Sequence, residues 1–282
     1  MVLTRKPAWL KVSLRILAEH GKTHGLLNQN GLNTICEEAV CPNKTECWNR
    51  GVATFLILGK NCTRSCRFCS VATKRPLPVD SEEPKKVAEA VGKMALAHVV
   101  ITSVTRDDLS DGGSNHWLAT LEKVKNKKTT IEALIPDFSG SHNQIETVLG
   151  GAPDILGHNL ETVPRLYSQI RPQSDYRRSL DVLKFSANLG FVVKTGIMVG
   201  LGESKEEIVQ VMKDAFNSGC KIFTIGQYLQ PSKNHLPICR YVHPDEFKEY
   251  KQKGLEIGFS VVESGPLVRS SYCADRQINQ LI

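Results

Sequence analysis

The sequence predicts an α/β fold in which a partial or complete parallel barrel is built from βα units. From Val52 onward, short runs rich in β-branched residues alternate with helical patterns, which is typical of βαβ units and a parallel sheet. Six such units follow one another, each about thirty residues long. Because single α/β barrels commonly reach the length of this chain, 282 residues, we expect one core with extensions rather than two average domains.

The apolar runs and the helical patterns give the elements of this core. The predicted strands are residues 52–58, 99–104, 130–135, 155–158, 192–198, 221–225 and, on a weaker pattern, 259–262. The predicted helices are residues 84–96, 115–124, 142–149, 179–188, 205–217 and 244–253. Ser204 followed by two acidic residues suits the start of the fifth helix, where carboxylates interact favourably with the helix dipole.

Three cysteines precede the first predicted strand. Residues 1–33 contain a short amphipathic stretch at 10–17 and then a loop rich in Gly, Asn and Gln, which predicts an arm rather than a domain. Cys36, Cys41 and Cys47, here called the first triplet, follow in the spacing Cx4Cx5C. Pro42 disfavours a continuous helix, so we expect a wrapped loop of the kind that a metal centre needs.

A second triplet, Cys62, Cys66 and Cys69, has the spacing CxxxCxxC directly after the first strand. A [4Fe–4S] cluster normally takes four cysteines, so a tight triplet would leave one iron open to a small molecule. A structural zinc ion would need a fourth cysteine or histidine close by, and the next histidine is His98. The spacing therefore favours an iron–sulfur cluster with an open iron.

Polar residues follow the predicted strands, where the ligands of parallel barrels collect. Residues 102–113 form a hydrophilic turn that is too acidic to cradle a phosphate. Asn159 and Glu161 follow the fourth strand and would face one side of an extended chain. Taken alone, they are equally consistent with ordinary caps between a strand and a helix. The glycines around Gly200 do not form GxGxxG, and GxxxxGK[ST] is absent, so a nucleotide-phosphate site is not favoured.

Composition narrows the class further. The net charge of +7 is mild and carries no nucleic-acid fold signature, so the basic residues form either a solvated face or a surface that attracts an acidic protein. No apolar run approaches a membrane span, and residues 1–8 lack the apolar core of a signal peptide. We expect a cytoplasmic protein with reduced cysteines, bound neither to nucleic acid nor to a membrane.

The second triplet, with the aromatic Phe68 before its last cysteine, resembles the signature of the radical S-adenosylmethionine (SAM) superfamily. Both triplets together, with Val-Ile-Thr-Ser-Val, His-Asn-Leu-Glu-Thr-Val and the terminal Arg-Ser-Ser-Tyr, resemble the lipoyl synthase family from Lys6 to Asp275. The resemblance implies a partial (βα)6-type parallel barrel at residues 51–258. It also implies an N-terminal extension at 1–50 and a C-terminal strap at 259–282.

The resemblance also implies an activity, the insertion of sulfur at C6 and C8 of an octanoyl chain on a lysine of a lipoyl domain or glycine-cleavage H protein. A [4Fe–4S] cluster on the second triplet would reduce SAM to form a radical, and one on the first triplet would supply sulfur. Phe68, Ser103, Asn159 and Glu161 are expected to contact SAM. Partners would include a reductase or a ferredoxin- or flavodoxin-type electron donor, and iron–sulfur assembly proteins.

By the same resemblance, Ser271 is expected to be the fourth ligand of the first-triplet cluster. Ser270 and Cys273 compete for this role, because only some residues of an extended segment face the cluster. A further alternative is that residues 269–272 form a strap whose hydroxyl groups cap backbone atoms. The roles of Cys220, Cys239 and Cys273 stay open at this point.

Two other functions are consistent with the cysteines. One is a different radical SAM sulfur inserter, such as a methylthiotransferase or a biotin-synthase-like enzyme, against which the early position of the first triplet and the terminal Ser-Ser pair argue. The other is a non-enzymatic iron–sulfur or zinc module, which would need four protein ligands per site and no SAM pocket.

Overall fold

The computed structural model describes residues 6–11, 25, 31–39, 41–126 and 128–281. Its strands are β1 Asn33–Thr34, β2 Val52–Ile57, β3 Asn61–Cys62, β4 Ala72–Thr73, β5 His98–Ser103, β6 Thr130–Leu134, β7 Ile155–Gly157, β8 Val193–Val199, β9 Cys220–Gln227 and β10 Val261–Gly265. All except β3 and β4 form one sheet in chain order, parallel apart from β1, with β1 and β10 as its edges among the described strands. The predicted α/β fold with an open parallel barrel is confirmed.

Helices cover the outside of this sheet. They are α1 Ile35–Glu38, α2 Lys44–Asn49, α3 Glu83–Lys93, α4 Ser114–Val124, α5 His142–Leu149, α6 Tyr167–Ile170, α7 Tyr176–Asn188, α8 Lys205–Asn217, α9 Pro244–Ile257 and α10 Ala274–Asn279. The six predicted helices and seven predicted strands are all present, with ends shifted by at most four residues. Most of the predicted amphipathic stretch at 10–17 lies outside the described residues.

The two faces of the sheet are filled differently. All residues of β2 are buried, which is typical of a parallel strand covered on both faces. On the outer face, Phe55 packs in one apolar cluster with Trp117 of α4. On the inner face, the Lys194 ammonium lies 2.7 Å from the Glu132 carboxylate, and both side chains are at most 1% exposed. A buried charge needs such a partner, so the pair fixes the packing inside the barrel.

The parallel strands bring their following loops to one edge of the sheet. Gly200, with φ +97°, makes the turn after β8, and a Cβ there would lie 2.6 Å from the Arg240 carbonyl oxygen. Ser204 and Glu207 then form a capping box that starts α8, as the sequence predicted. Among the described residues, no helix is both long enough and apolar enough to cross a membrane.

Candidate functional site

The second triplet begins with Cys62 at the end of β3 and continues with Cys66 and Cys69 on the loop that joins β3 to β4. These strands pair in parallel, with Cys62 opposite Thr73, so the ladder closes the base of the loop. The Cys69 N–H donates to the Cys66 carbonyl oxygen over 3.0 Å and tightens the loop into a turn. All three thiol residues are only partly buried. The short loop therefore presents three sulfur atoms at the edge where the strands end.

Contacts from two other loops hold this segment in place. The Arg67 N–H donates to the Ile170 carbonyl oxygen over 2.9 Å, and the Leu236 N–H donates to the Arg67 carbonyl oxygen over 3.2 Å. His235 Nε2 lies 2.9 Å from the Cys69 carbonyl oxygen. The cysteine loop is thus held between the segments that follow β7 and β9.

The thiols of the second triplet lie in surroundings that oppose a free thiolate. Burial, together with the neighbouring thiols, raises the pKa of Cys69 to about 12. Burial also raises the pKa of Cys66, although the Arg171 guanidinium opposes this. Cys62 Sγ accepts N–H groups from Arg64 at 3.4 Å and Thr105 at 3.3 Å. Sulfurs gathered in this way suit a cationic centre, whose charge deprotonates the thiols that bind it.

Asn159 and Glu161 meet beyond the end of β7. Burial raises the pKa of the Glu161 carboxyl group, and the Arg171 guanidinium and the Asn159 side chain oppose this rise. The expected extended chain is wrong at Glu161, which has φ +67° because its N–H donates to Gly196 and its carbonyl accepts from Met198 of β8. Asn159 Oδ1 is buried and has no hydrogen-bond partner among the described residues. It is a buried acceptor that the described residues leave available to a ligand.

Arg171, which the sequence did not single out, connects these residues to the second triplet. Its Nη1 donates to the Asn159 carbonyl oxygen over 2.9 Å and to the Tyr167 hydroxyl over 3.2 Å. Its guanidinium also lowers the pKa of the Cys66 thiol and that of Glu161, in both cases against the effect of burial. The only sequence signal is a charged residue directly after the apolar end of α6, and this signal is weak.

Phe68 and Ser103 lie in different surroundings. Phe68 is partly buried and packs against the apolar core of the second half of the sheet. The Ser103 hydroxyl accepts the indole N–H of the fully buried Trp117 over 3.1 Å. This contact turns Ser103 toward the helix layer and packs β5 against α4. The expected contact of Ser103 with SAM stays a prediction.

The first triplet is held by two short helices. Cys36 lies on α1, Cys47 lies on α2, and Cys41 lies in the turn between them. The predicted break at Pro42 is confirmed. The predicted wrapped loop is wrong in part, because only the turn between the helices is irregular. The Cys41 N–H donates to the Cys36 carbonyl oxygen over 3.0 Å and folds the second helix back toward the first.

One small cavity gathers the first triplet and the C-terminal segment. Burial raises the pKa of Cys36 to about 11 and that of Cys47 to about 12, and in both cases Cys41 adds to the rise. Three thiols and the Ser271 hydroxyl group thus belong to residues that line one space. The lining residues are Cys36, Cys41, Asn43, Lys44, Cys47, Val52, Thr54, Arg269, Ser271 and Tyr272.

The C-terminal segment forms a turn where an extended strap was expected. Residues 270–273 form a turn, and Cys273, with φ +53°, begins α10. Because the segment is not extended, the rule that neighbouring residues face opposite sides does not tell which hydroxyl or thiol group faces the cysteines. Ser271 lines the cavity, whereas Ser270 and Cys273 do not. Cys273 Sγ instead lies 3.6 Å from Arg50 Nη1.

The two cysteine segments are in contact with each other. The Ser70 hydroxyl, next to Cys69, donates to the Glu38 carbonyl oxygen on α1 over 2.8 Å. Of the remaining cysteines, Cys220 is buried at the start of β9 and Cys239 is exposed. Within the part of the chain that the structure describes, no three His, Cys, Asp or Glu side chains are arranged to hold a single metal ion.

Comparisons with known proteins agree with this architecture. Solved structures with the same fold include methylornithine synthase, with a TM-score of 0.57, 12% identity and 92% of each chain covered. Another is Streptococcus suis SuiB bound to S-adenosylmethionine, with a TM-score of 0.58 and 14% identity over 80% of this chain and 54% of that chain. At these identities, the likeness concerns the fold alone.

Sequence comparison gives the family. Residues 56–215 match the Radical SAM superfamily. The chain is 52% identical over 275 residues to a lipoyl synthase of Caldanaerobacter subterraneus, with 96% of each chain covered. It is 50% identical over 274 residues to a lipoyl synthase of Chlorobium phaeovibrioides, again with 96% of each covered. The chain therefore belongs to the lipoyl synthase family of radical SAM enzymes.

Proposed function

We propose that the chain inserts two sulfur atoms, at C6 and C8, into an octanoyl group carried on a lysine of a lipoyl domain or glycine-cleavage H protein. The observation that carries the proposal is the presence of two cysteine triplets on segments that contact each other. The second lies beside Asn159 and Glu161, and the first surrounds a cavity that Ser271 shares. Radical formation needs one cluster, and a separate source of sulfur needs another.

The second triplet fits a [4Fe–4S] cluster with one open iron. Cys62 and Cys66 both raise the pKa of the partly buried Cys69, so the three thiols lie near enough to one another to share one inorganic group. The unpartnered Asn159 Oδ1 and the Glu161 carboxylate are acceptors at the same place. The ammonium and hydroxyl groups of SAM are donors of matching chemistry. These residues would hold the cluster and SAM.

The reaction explains why a cofactor is required. Methylene C–H bonds carry no acidic proton and no leaving group, so acid–base side chains cannot activate them. SAM and the reduced cluster supply the hydrogen-atom abstraction. The chain's own part is to orient SAM through Asn159 and Glu161, and Arg171 keeps both groups in place. Two molecules of SAM are used for each lipoyl group, one for each carbon.

The first triplet and Ser271 would hold the second cluster, which supplies the sulfur. The support is the cavity in which three thiols and one hydroxyl group are the candidate donors. An alkoxide oxygen is a hard ligand that matches the soft surroundings of the cluster poorly. Ser271 would therefore hold its iron less firmly than the three cysteines would hold theirs, which suits a cluster that has to supply sulfur. Iron–sulfur assembly proteins would then rebuild the cluster, and an external one-electron donor would reduce the other one.

Anaerobic turnover with labelled sulfur tests the proposal. The clusters are reconstituted with ³⁴S-sulfide, and the holoenzyme is incubated with SAM, dithionite and an octanoyl-lysine peptide. We expect mass spectrometry to show a peptide that has gained two ³⁴S atoms, with methionine and 5′-deoxyadenosine released. The matched control is the same peptide without its octanoyl group, which should stay unchanged. Cleavage of SAM with no sulfur in the octanoyl peptide would refute the assigned reaction.

A further inference from the structure

Two segments of the chain contain basic residues but no carboxylate. Residues 60–79 include Lys60, Arg64, Arg67, Lys74 and Arg75, with no Asp or Glu. Residues 221–244 are likewise free of Asp and Glu, although these acids make up 29 of the 282 residues. A mixed surface is the usual arrangement for solvated charges. Two acid-free segments of this length are therefore a feature to explain.

The fold brings these two segments together around the second triplet. The Leu236 N–H donates to the Arg67 carbonyl oxygen over 3.2 Å, and His235 Nε2 lies 2.9 Å from the Cys69 carbonyl oxygen. The Asn61 side chain donates to the Arg75 carbonyl oxygen over 3.1 Å, which sets residue 75 beside residue 60. The cations consequently surround the cysteine loop. We call Lys60, Arg67, Lys74, Arg75 and Lys233 the basic rim.

The basic rim is not neutralised within the described residues. All five side chains belong to exposed residues, and none has an ion-pair partner among the residues described. By contrast, Arg64 of the same segment is buried and pairs with Asp107 and Asp137. Unpaired like charges add no stability to the fold. Their gathering at one place points instead to a role in recognition.

An apolar residue adjoins the basic rim. Leu77 is 67% exposed, the most exposed large apolar side chain among the described residues. It lies two residues after Arg75, in the same acid-free segment. Protein interfaces combine an apolar contact with complementary charges, and the charges set the rate and specificity of encounter. The surface therefore suits a partner that is acidic and has an apolar spot of its own.

We propose that the basic rim is the docking surface of a small acidic protein that delivers single electrons to the cluster held by the second triplet. This inference rests on the function proposed above. The donor's reduced cofactor loses one electron and the cluster gains it, and no bond is made or broken. Electron transfer weakens steeply with distance, so the donor must bind where the cluster is nearest the surface. The rim surrounds the partly exposed cysteines themselves.

Two charge-reversal variants with equal net charge test the proposal. In the first, Lys74→Glu with Arg75→Glu changes the rim. In the control, Lys128→Glu with Lys221→Glu changes exposed lysines that precede β6 and lie near the start of β9, at the opposite ends of the strands. Each pair lowers the net charge of +7 by four. A difference between them therefore reports position and not total charge.

The first measurement is direct binding of a flavodoxin, used as the probe, to the anaerobic holoenzyme. At low salt we expect the rim variant to associate about tenfold or more slowly than wild type, with the control within about twofold. The difference should vanish near 1 M salt, where the screening length is about 3 Å. Lys60→Glu with Lys233→Glu should repeat the effect, so the result does not depend on the folding of a single variant.

The second measurement separates the electron donor from the substrate carrier. SAM cleavage driven by reduced flavodoxin should slow in the rim variant, whereas cleavage driven by dithionite should not. Equal flavodoxin binding by the rim and control variants would overturn the proposal. The proposal would also be overturned if the rim variant bound flavodoxin normally but showed a raised KM for the octanoylated carrier in dithionite assays. If wild-type holoenzyme with dithionite cleaved no SAM, the proposed function would fail, while the binding measurement would still decide the docking surface.

Discussion

Replacing Glu161 by Gln should weaken the binding of SAM and leave the iron content unchanged. Burial raises the pKa of this carboxyl group, and the nearby Arg171 guanidinium and Asn159 side chain favour its charged form. A hydrogen bond lost in such a place leaves a polar group without a partner and costs about 1–3 kcal/mol. This corresponds to an affinity roughly 5- to 150-fold lower. Asn159→Ala removes the unpartnered Oδ1, and a loss in the same range is expected.

Anaerobic calorimetry of SAM binding, with iron counted in each sample, measures this effect. Glu83→Gln is the matched control, because Glu83, at the start of α3, is also a buried carboxylate. It accepts the Leu58 N–H and contacts His116. Its replacement should lower stability and leave SAM affinity unchanged. Wild-type SAM affinity in both the Glu161 and Asn159 variants would refute the placement of SAM at the end of β7.

Three further predictions follow from the same geometry. Alanine at any cysteine of the second triplet should abolish SAM cleavage, whereas alanine in the first triplet should spare cleavage and stop sulfur incorporation, as mass spectrometry of the peptide can show. Ser271→Ala should lower the iron content of the first-triplet cluster and the yield of lipoyl product, while Ser270→Ala should leave both near wild type; the reverse order would assign the ligand to Ser270. Burial, and to a smaller extent Arg171, lowers the pKa of His158 from 6.5 to about 4. Between pH 6.5 and about pH 4 the unfolded chain therefore binds more protons than the folded chain, and the free energy of unfolding falls as the pH falls through this range. Between pH 7 and pH 5 this contribution is about 2 kcal/mol, and it should be missing from the pH dependence of unfolding in His158→Gln; equal dependence in both proteins would contradict the role of burial.

Local signals in the sequence were enough for most of the barrel. The start of α8 was predicted because Ser204 and Glu207, which form its capping box, are close together in the sequence. Strand β2 was predicted from its apolar run, and the structure buries every residue of that strand. The spacing of the second triplet predicted a loop, and the structure has one. In each case, the residues that determine the structure are neighbours in the chain.

The missed features depend on contacts between distant segments. Glu161 takes its left-handed φ from hydrogen bonds with β8, about 35 residues later in the chain. Ser103 faces the helix layer because Trp117 donates to it. The role of Arg171 depends on its contacts with residues distant in the sequence, and the residues next to it in the chain do not indicate that role. Cys273 begins a helix with φ +53°, which a pattern of serines and an aromatic does not predict.

Different contacts hold the two triplets in place, and they suit the different roles proposed for the triplets. A parallel ladder and backbone hydrogen bonds from two other loops hold the second triplet, so its position depends on the barrel. The first triplet lies between the two ends of the described chain, where Asn43 donates to the Leu267 carbonyl oxygen over 2.7 Å and Arg50 pairs with Asp275. Segments outside the barrel can separate at lower cost than strands of its sheet. The cluster proposed for the first triplet would therefore be dismantled and rebuilt there without disturbing the residues proposed to hold SAM.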